Sequence, residues 1–184
     1  MRVIAGKYKG RRLKAVPGNA TRPTTDKIKE AMFQVMGPFF EEGKCLDLFA
    51  GSGGLGIEAL SRGMEKAIFI DKQAKAIQTI KENIKQLSTD IQYEVFKNDA
   101  NRALHVLHKR EEQFDLILLD PPYKKVDYNI LINNILKYGL LKEDGMLYCE
   151  HDPKEQLNHY AELQIIKQTS YSNTIAITIF TYHS

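Results

Sequence analysis

The chain has 184 residues, 43% of them hydrophobic and 27% charged, a length for one domain with at most a small appendage. That composition excludes a disordered chain, a collagen and a disulfide scaffold, and no apolar run comes near the ~18 residues of a membrane-spanning helix. The net charge of +3 is unevenly spread: residues 1–25 carry seven basic side chains and no acid, which leaves 19 basic against 23 acidic in the remainder.

A basic stretch on an otherwise acidic body reads as a contact for a polyanion, with nucleic acid the leading partner. Val3-Ile4-Ala5 and Leu13-Lys14-Ala15-Val16 flank a loop with Gly6 and Gly10, which predicts a basic β-hairpin within residues 1–25. Lys7, Lys9, Arg11, Arg12 and Arg22 are its candidate nucleic-acid-binding residues. The first residues lack the apolar core of a signal peptide. Cys45 and Cys149 lie in apolar runs, as reduced core residues of a cytoplasmic protein do.

From residue 26 onward a second unit begins. Thr24 or Thr25 can cap a helix with Ile28, Ala31, Met32, Val35 and Met36 on one face, stopped by Gly37-Pro38. Strand-like Lys44–Phe49 leads into a glycine-rich loop, then a helix with Leu55, Ala59 and Leu60. Ala67–Ile70 ends in Asp71 and precedes a helix carrying Ile77, Ile80, Ile84 and Leu87. Ile91–Phe96 ends near Asp99 and precedes a helix through Leu104 and Leu107. Phe114–Leu119, the most apolar strand, ends in Asp120-Pro121-Pro122-Tyr123. A helix through Ile130–Leu136, a turn at Glu143-Asp144-Gly145 and a strand at Met146–Cys149 follow. Alternating strands and helices with near-continuous apolar strands predict a parallel α/β sheet covered on both faces. Leu163–Lys167 and Ile175–Phe180 are too close for a crossover helix and must pair antiparallel.

Gly51-x-Gly53-x-x-Gly56 follows a strand and opens a helix, with Asp71 twenty residues beyond Gly51. This spacing matches a dinucleotide fingerprint, so a nicotinamide-dependent dehydrogenase is one reading. Asp47, inside the preceding strand, favours another: a carboxylate near the loop repels a pyrophosphate but suits the ammonium and sulfonium of S-adenosylmethionine. Asp71 then suits two ribose hydroxyls and Asp99 an adenine amine, with Phe49, Ala50, Gly51, Ser52 and Gly53 forming the cofactor loop. A strand-end acid can also serve simply as a helix cap.

Asp120-Pro121-Pro122-Tyr123 closes the fourth strand, where the reactive end of the ligand would lie. An exocyclic amine on a base is a poor nucleophile, because its lone pair is delocalised into the ring. The Asp120 carboxylate and the Pro121 carbonyl could both accept N–H bonds and turn that lone pair toward a methyl group. The prolines hold the carbonyl in place, and Tyr123 offers a surface on which a flipped base stacks. Positioning of this kind needs no metal. His105 and His108 lie three apart but lack nearby ligand partners.

The loop Leu46-Asp47-Leu48-Phe49-Ala50-Gly51-Ser52-Gly53 together with Asp120-Pro121-Pro122-Tyr123 resembles the class I amino-methyltransferases. With Arg2-Val3-Ile4-Ala5-Gly6, Gly10-Arg11 and Arg22-Pro23-Thr24-Thr25-Asp26, the whole chain is similar to the RsmD-type 16S ribosomal RNA guanine-N2 methyltransferases. The resemblance implies a Rossmann-like, mostly parallel seven-stranded sheet with one reversed strand and S-adenosylmethionine as methyl donor. It also implies guanine 966 of small-subunit RNA as target. The expected partner is 16S ribosomal RNA in an assembling or assembled small subunit, and because the basic hairpin needs no dimer the expected state is a monomer. Two rivals share the motifs: an adenine-N6 DNA methyltransferase, and an inactive nucleic-acid-binding module of the same fold.

Overall fold

The computed structural model describes residues 1–18, 25–122 and 125–184. Thr25 starts the first helix, α1 (Asp26–Met36), by accepting the Ile28 N–H on its side-chain oxygen; Thr24 lies outside the described residues. Alternation then sets in: β1 (Lys44–Asp47), α2 (Gly54–Ser61), β2 (Lys66–Asp71), α3 (Ala74–Leu87), β3 (Gln92–Lys97), α4 (Ala100–Lys109), β4 (Phe114–Leu119) and α5 (Tyr128–Lys137). Three consecutive strands close the chain: β5 (Leu141–His151), β6 (Leu163–Tyr171) and β7 (Ile175–Tyr182).

The strands form one sheet in the order β3-β2-β1-β4-β5-β7-β6. β1 to β5 pair in parallel, and β7 runs antiparallel to both β5 and β6. One reversed strand in a seven-stranded sheet is the expected architecture. Side chains alternate between two cores. Cys45, Ala67 and Phe69 face a layer built by α1, α2 and α3, with Met32, Phe33, Ile57, Ile80 and Ile84. Leu46, Ile68 and Ile117 face α4 and α5, with Leu104, Leu107, Leu131 and Ile135. Each Leu or Ile so buried stabilises the fold by about 1.5–3 kcal/mol. After β1 the chain moves outward through β2 and β3, then returns to place β4 on the other side of β1. That reversal opens a crevice at the strand ends, where open α/β sheets bind ligands.

Three local expectations need refinement. α1 buries Ile28, Lys29, Met32, Phe33 and Met36, while Val35 is exposed. The helix is turned so that Lys29 and Phe33 face a buried ionic cluster. The turn at Glu143-Asp144-Gly145 does not precede β5 but lies within it. Phe114 pairs with Leu141 and Leu116 with Met146, so the extra residues bulge out of the ladder, with Asp144 at φ 63.

The N-terminal hairpin is reduced to a single antiparallel bridge, Arg2 to Arg12. Val3 N–H to the Arg11 carbonyl, Gly10 N–H to the Val3 carbonyl and Leu13 N–H to the Met1 carbonyl, each at 2.9 Å, hold its two arms together, and further backbone groups go to side chains on α2 and α3. Ile4 and Ala5 donate to the Glu58 carboxylate at 2.9 and 3.1 Å, Tyr8 to Ser61 Oγ at 2.9 Å, and Lys14 to Asn83 Oδ1 at 2.8 Å. Gly6 makes the close approach possible. It has φ +90, and a Cβ there would fall 1.9 Å from the Ser61 carbonyl oxygen. No described helix is long and apolar enough to cross a membrane.

Candidate active site

A cavity of about 510 Å³ opens at the strand ends on both sides of β1. One side is lined by Phe49, Gly51, Asp71, Asn98 and Asp99, the other by Asp120, Pro121, Pro122, Asp127, Ile130 and Glu150. Its size suits a nucleoside-sized ligand. Acids from four different strand ends surround it and, with Asp127, outnumber the two lysines of the lining, Lys72 and Lys125, a balance that favours a cation over a phosphate.

The glycine loop explains why. Gly51 donates its N–H to Asp71 Oδ2 at 2.9 Å, Gly53 to the Ala50 carbonyl at 2.7 Å, and Gly56 to Asp47 Oδ2 at 3.0 Å. In a dinucleotide site the loop and helix-start amides point at the pyrophosphate. Here all three glycine N–H groups of the fingerprint bond to the protein itself, two of them to carboxylates. That arrangement argues against the dehydrogenase reading. Asp71 also accepts the Gln73 N–H on its other oxygen at 2.9 Å, so the loop and the start of α3 are held by one side chain. Asp99 caps α4 through the Arg102 N–H at 3.2 Å and still lines the cavity. Capping and ligand contact are compatible at this position.

Other expected residues support the loop without lining the cavity. Asp47 is 1% exposed beneath it. Burial pushes its carboxyl up to about 7, opposed by the Gly56 N–H and aided by the nearby Asp71 charge. Ala50 donates its N–H to the Ile70 carbonyl at 2.9 Å, and the Ser52 carbonyl accepts from Asn83 Nδ2 at 2.9 Å. Gly53, at φ +87, starts α2, and a Cβ on Gly56 would meet Phe69 at 2.4 Å. The catalytic candidates Asp120, Pro121 and Pro122 line the cavity; Tyr123 lies outside the described residues.

The raised Asp47 carboxyl predicts a pH effect. Between pH ~4 and ~7 the folded state holds a proton that the unfolded chain has released, so stability falls as pH rises across that window and levels above it. Asp47→Asn keeps an acceptor for Gly56 and removes the titration. Denaturant unfolding of the variant should lack this component of the pH dependence, and an unchanged profile would refute the assignment.

Several residues at the site escaped the sequence reading, Asp127 and Lys72 among the lining, and two of them shape it most. Tyr128 is buried at the start of α5, its hydroxyl between the carbonyls of Leu119, at 3.2 Å, and Glu150. It thus ties the ends of β4 and β5 together directly below Asp120, and burial keeps the hydroxyl protonated. Glu150 is 3% exposed and contributes to the cavity wall. Neither has a local signal, since each acquires its place from strand pairing.

Among the described residues, the basic candidates of the N-terminal segment lie away from the cavity lining, whose own cations are Lys72 and Lys125. Lys7, Lys9, Arg11 and Arg12 are exposed. Lys7 Nζ lies 5.6 Å from the Tyr8 ring centroid, and Arg11 reaches the Gln86 carbonyl at the end of α3 at 2.6 Å. Arg22 lies outside the described residues. His105 and His108 pack against the Tyr138 ring.

Comparison with known proteins agrees with this geometry. The family model described as Conserved hypothetical protein 95 matches residues 1–180. The chain is 52% identical over 175 residues, covering 95% of both proteins, to YlbH of Bacillus subtilis (strain 168), named as a candidate rRNA methyltransferase. It is 31% identical over 157 residues to ribosomal RNA small subunit methyltransferase D of Escherichia coli (strain K12), covering 85% of this chain and 77% of that one. The structure of the candidate methyltransferase yhhF from E. coli superposes with a TM-score of 0.85 at 27% identity, over 100% of this chain and 98% of that one. The sheet is thus the Rossmann-like class I methyltransferase fold.

Proposed function

We propose, because the chain belongs to the RsmD-type ribosomal RNA methyltransferase family, that it methylates the exocyclic N2 amine of a guanine in 16S ribosomal RNA, guanine 966 in that family. S-adenosylmethionine is the donor and supplies an electrophilic methyl group on a sulfonium. The observation that carries the reading is the cavity itself, a carboxylate-rimmed crevice ending at Asp120-Pro121-Pro122. Asp71 suits the ribose hydroxyls and Asp99 the adenine amine. Asp120 and the Pro121 carbonyl accept the two N–H bonds of the target amine, so that its lone pair faces the methyl carbon. As the N–C bond forms and the C–S bond breaks, the surplus proton on nitrogen passes to Asp120 or to water. Tyr123 offers the stacking surface for the flipped base.

Residues 1–25 supply the grip on RNA, and residues 26–184 the methyl transfer. The cavity lining is mainly acidic, with Lys72 and Lys125 as its cations, so the exposed basic segment is the richer surface for phosphates. Lys9→Glu with Arg12→Glu should weaken RNA binding and flatten the slope of log affinity against log salt by about 0.7–0.9 for each phosphate that is no longer neutralised. A double variant with the wild-type slope and affinity moves the grip to another surface.

The reaction is tested by incubating the protein with labelled S-adenosylmethionine and, separately, small ribosomal subunits, protein-free 16S RNA and plasmid DNA. Mass spectrometry of the digested nucleosides should show N2-methylguanosine from the small-subunit sample. Methyladenine from plasmid DNA would establish the rival reading instead, and no transfer to any acceptor would favour the inactive module.

A further inference from the structure

The cavity has two distinct ends. At one, Asp71 holds the amides of Gly51 and Gln73, and Asp99 caps α4. At the rim of the other, Asp127 caps α5 through the N–H groups of Asn129 and Ile130 at 3.0 and 3.3 Å. Between them the parallel register of β4 and β5 ends at Leu119 opposite Cys149. The next residues along the two chains, Asp120 and Glu150, therefore stand side by side at the C-terminal end of β4, and both line the cavity. Tyr128 fixes this juxtaposition by contacting the carbonyl before Asp120 and that of Glu150 itself. Glu150 is only 3% exposed yet forms part of the cavity wall. A carboxylate so far removed from water discriminates sharply between a ligand donor and a ligand acceptor.

We propose that Glu150 is the specificity-determining residue for the target base, accepting the N1–H of guanine while Asp120 holds the N2 amine. This rests on the guanine-N2 reading above and extends it to base choice. Guanine presents adjacent donors on its Watson–Crick edge, the N1–H and the N2 amine, and two neighbouring carboxylates match that pair. Adenine and cytosine place a ring-nitrogen lone pair beside their amines. Glu150 would then face a lone pair across a buried gap, an unfavourable contact between two acceptors. The same cavity would still accommodate their shape, so the selection comes from hydrogen-bond polarity and not from size.

The test separates polarity from packing. Small-subunit particles are assembled with either guanosine or 2-aminopurine riboside at the mapped target nucleotide. 2-Aminopurine keeps the N2 amine but carries a lone pair at N1. Wild-type protein should prefer guanine in kcat/KM by about a hundredfold or more, because a site built for an N–H rejects an analogue lacking it. Glu150→Gln can turn its amide N–H toward N1 and should narrow the preference to within about tenfold. Glu150→Asp, which keeps the carboxylate, should retain the guanine preference at lower kcat/KM. Each ratio is internal to one protein, so a partly unfolded fraction cancels from it. If wild-type protein methylates an atom other than guanine N2, the reaction assigned above fails and the inference goes with it. If wild-type protein methylates guanine N2 but Glu150→Gln keeps the wild-type ratio, or transfers to neither base although folded by thermal melting, only the role of Glu150 is overturned.

Discussion

Asp120→Ala should lower kcat about a hundred- to a thousandfold while the affinity for S-adenosylmethionine, measured by calorimetry, changes far less. The magnitude is that of deleting one preorganised partner from a site where charge develops, about 3–4 kcal/mol of barrier. Asp120 lines the end of the cavity away from Asp71 and Asp99, so in the proposed reaction its loss takes away an acceptor for the amine and spares the proposed nucleoside contacts. The Pro121 carbonyl, the second acceptor proposed, is untouched, and turnover should be slow rather than absent. Near wild-type turnover in Asp120→Ala would show that amine positioning lies elsewhere. A parallel loss of S-adenosylmethionine binding would make Asp120 a cofactor residue instead.

Glu58→Ala should be the most destabilising single change in the N-terminal half. Glu58 is completely buried; its two oxygens accept the Ile4 and Ala5 N–H groups and the Arg62 Nε–H, and Lys29 Nζ lies 3.5 Å away. Arg62 and Lys29 are themselves buried. Burial pushes the Lys29 ammonium below its usual range, and the Glu58 charge opposes that shift. Removing Glu58 leaves two buried cations without the carboxylate between them and two part-buried backbone donors unpaired, a loss of about 3–5 kcal/mol, although Lys29 keeps the Arg2 carbonyl at 2.9 Å. Arg62 keeps Glu30 at 3.0 Å and the Pro38 carbonyl at 3.2 Å, which holds the cost toward the lower figure. Against a total stability of ~5–15 kcal/mol this is a large fraction. Denaturant midpoints should fall accordingly, and limited proteolysis should now cut within the first eighteen residues. A variant that unfolds at the wild-type midpoint would mean that the basic segment is held by its other contacts.

The periodicity of α3 and α4, the apolar run of β4, the antiparallel closure by β6 and β7, and the acids Asp71, Asp99 and Asp120 at strand ends are all legible in the sequence. Each rests on local rules: helix spacing, strand length, loop length and the chemistry of a turn. The resemblance carried by the glycine loop and Asp120-Pro121-Pro122-Tyr123 extended that reading to the methyltransferase fold and its donor. Tertiary structure alone decided the rest. The basic segment is a short hairpin strapped to the body, because the buried Glu58 takes the Ile4 and Ala5 N–H groups and ends the pairing after a few bonds. The fingerprint glycines are not a phosphate cradle, because Asp71 and Asp47 occupy the amides of Gly51 and Gly56 from 20 and 9 residues away in sequence. Glu150 joins Asp120 because the β4–β5 ladder, after its bulge, runs Leu119 opposite Cys149. Helix and turn signals act over a few residues and are written in the order of the chain. Which strands lie side by side, and which buried charge meets which amide, follows from how the two cores pack on the sheet.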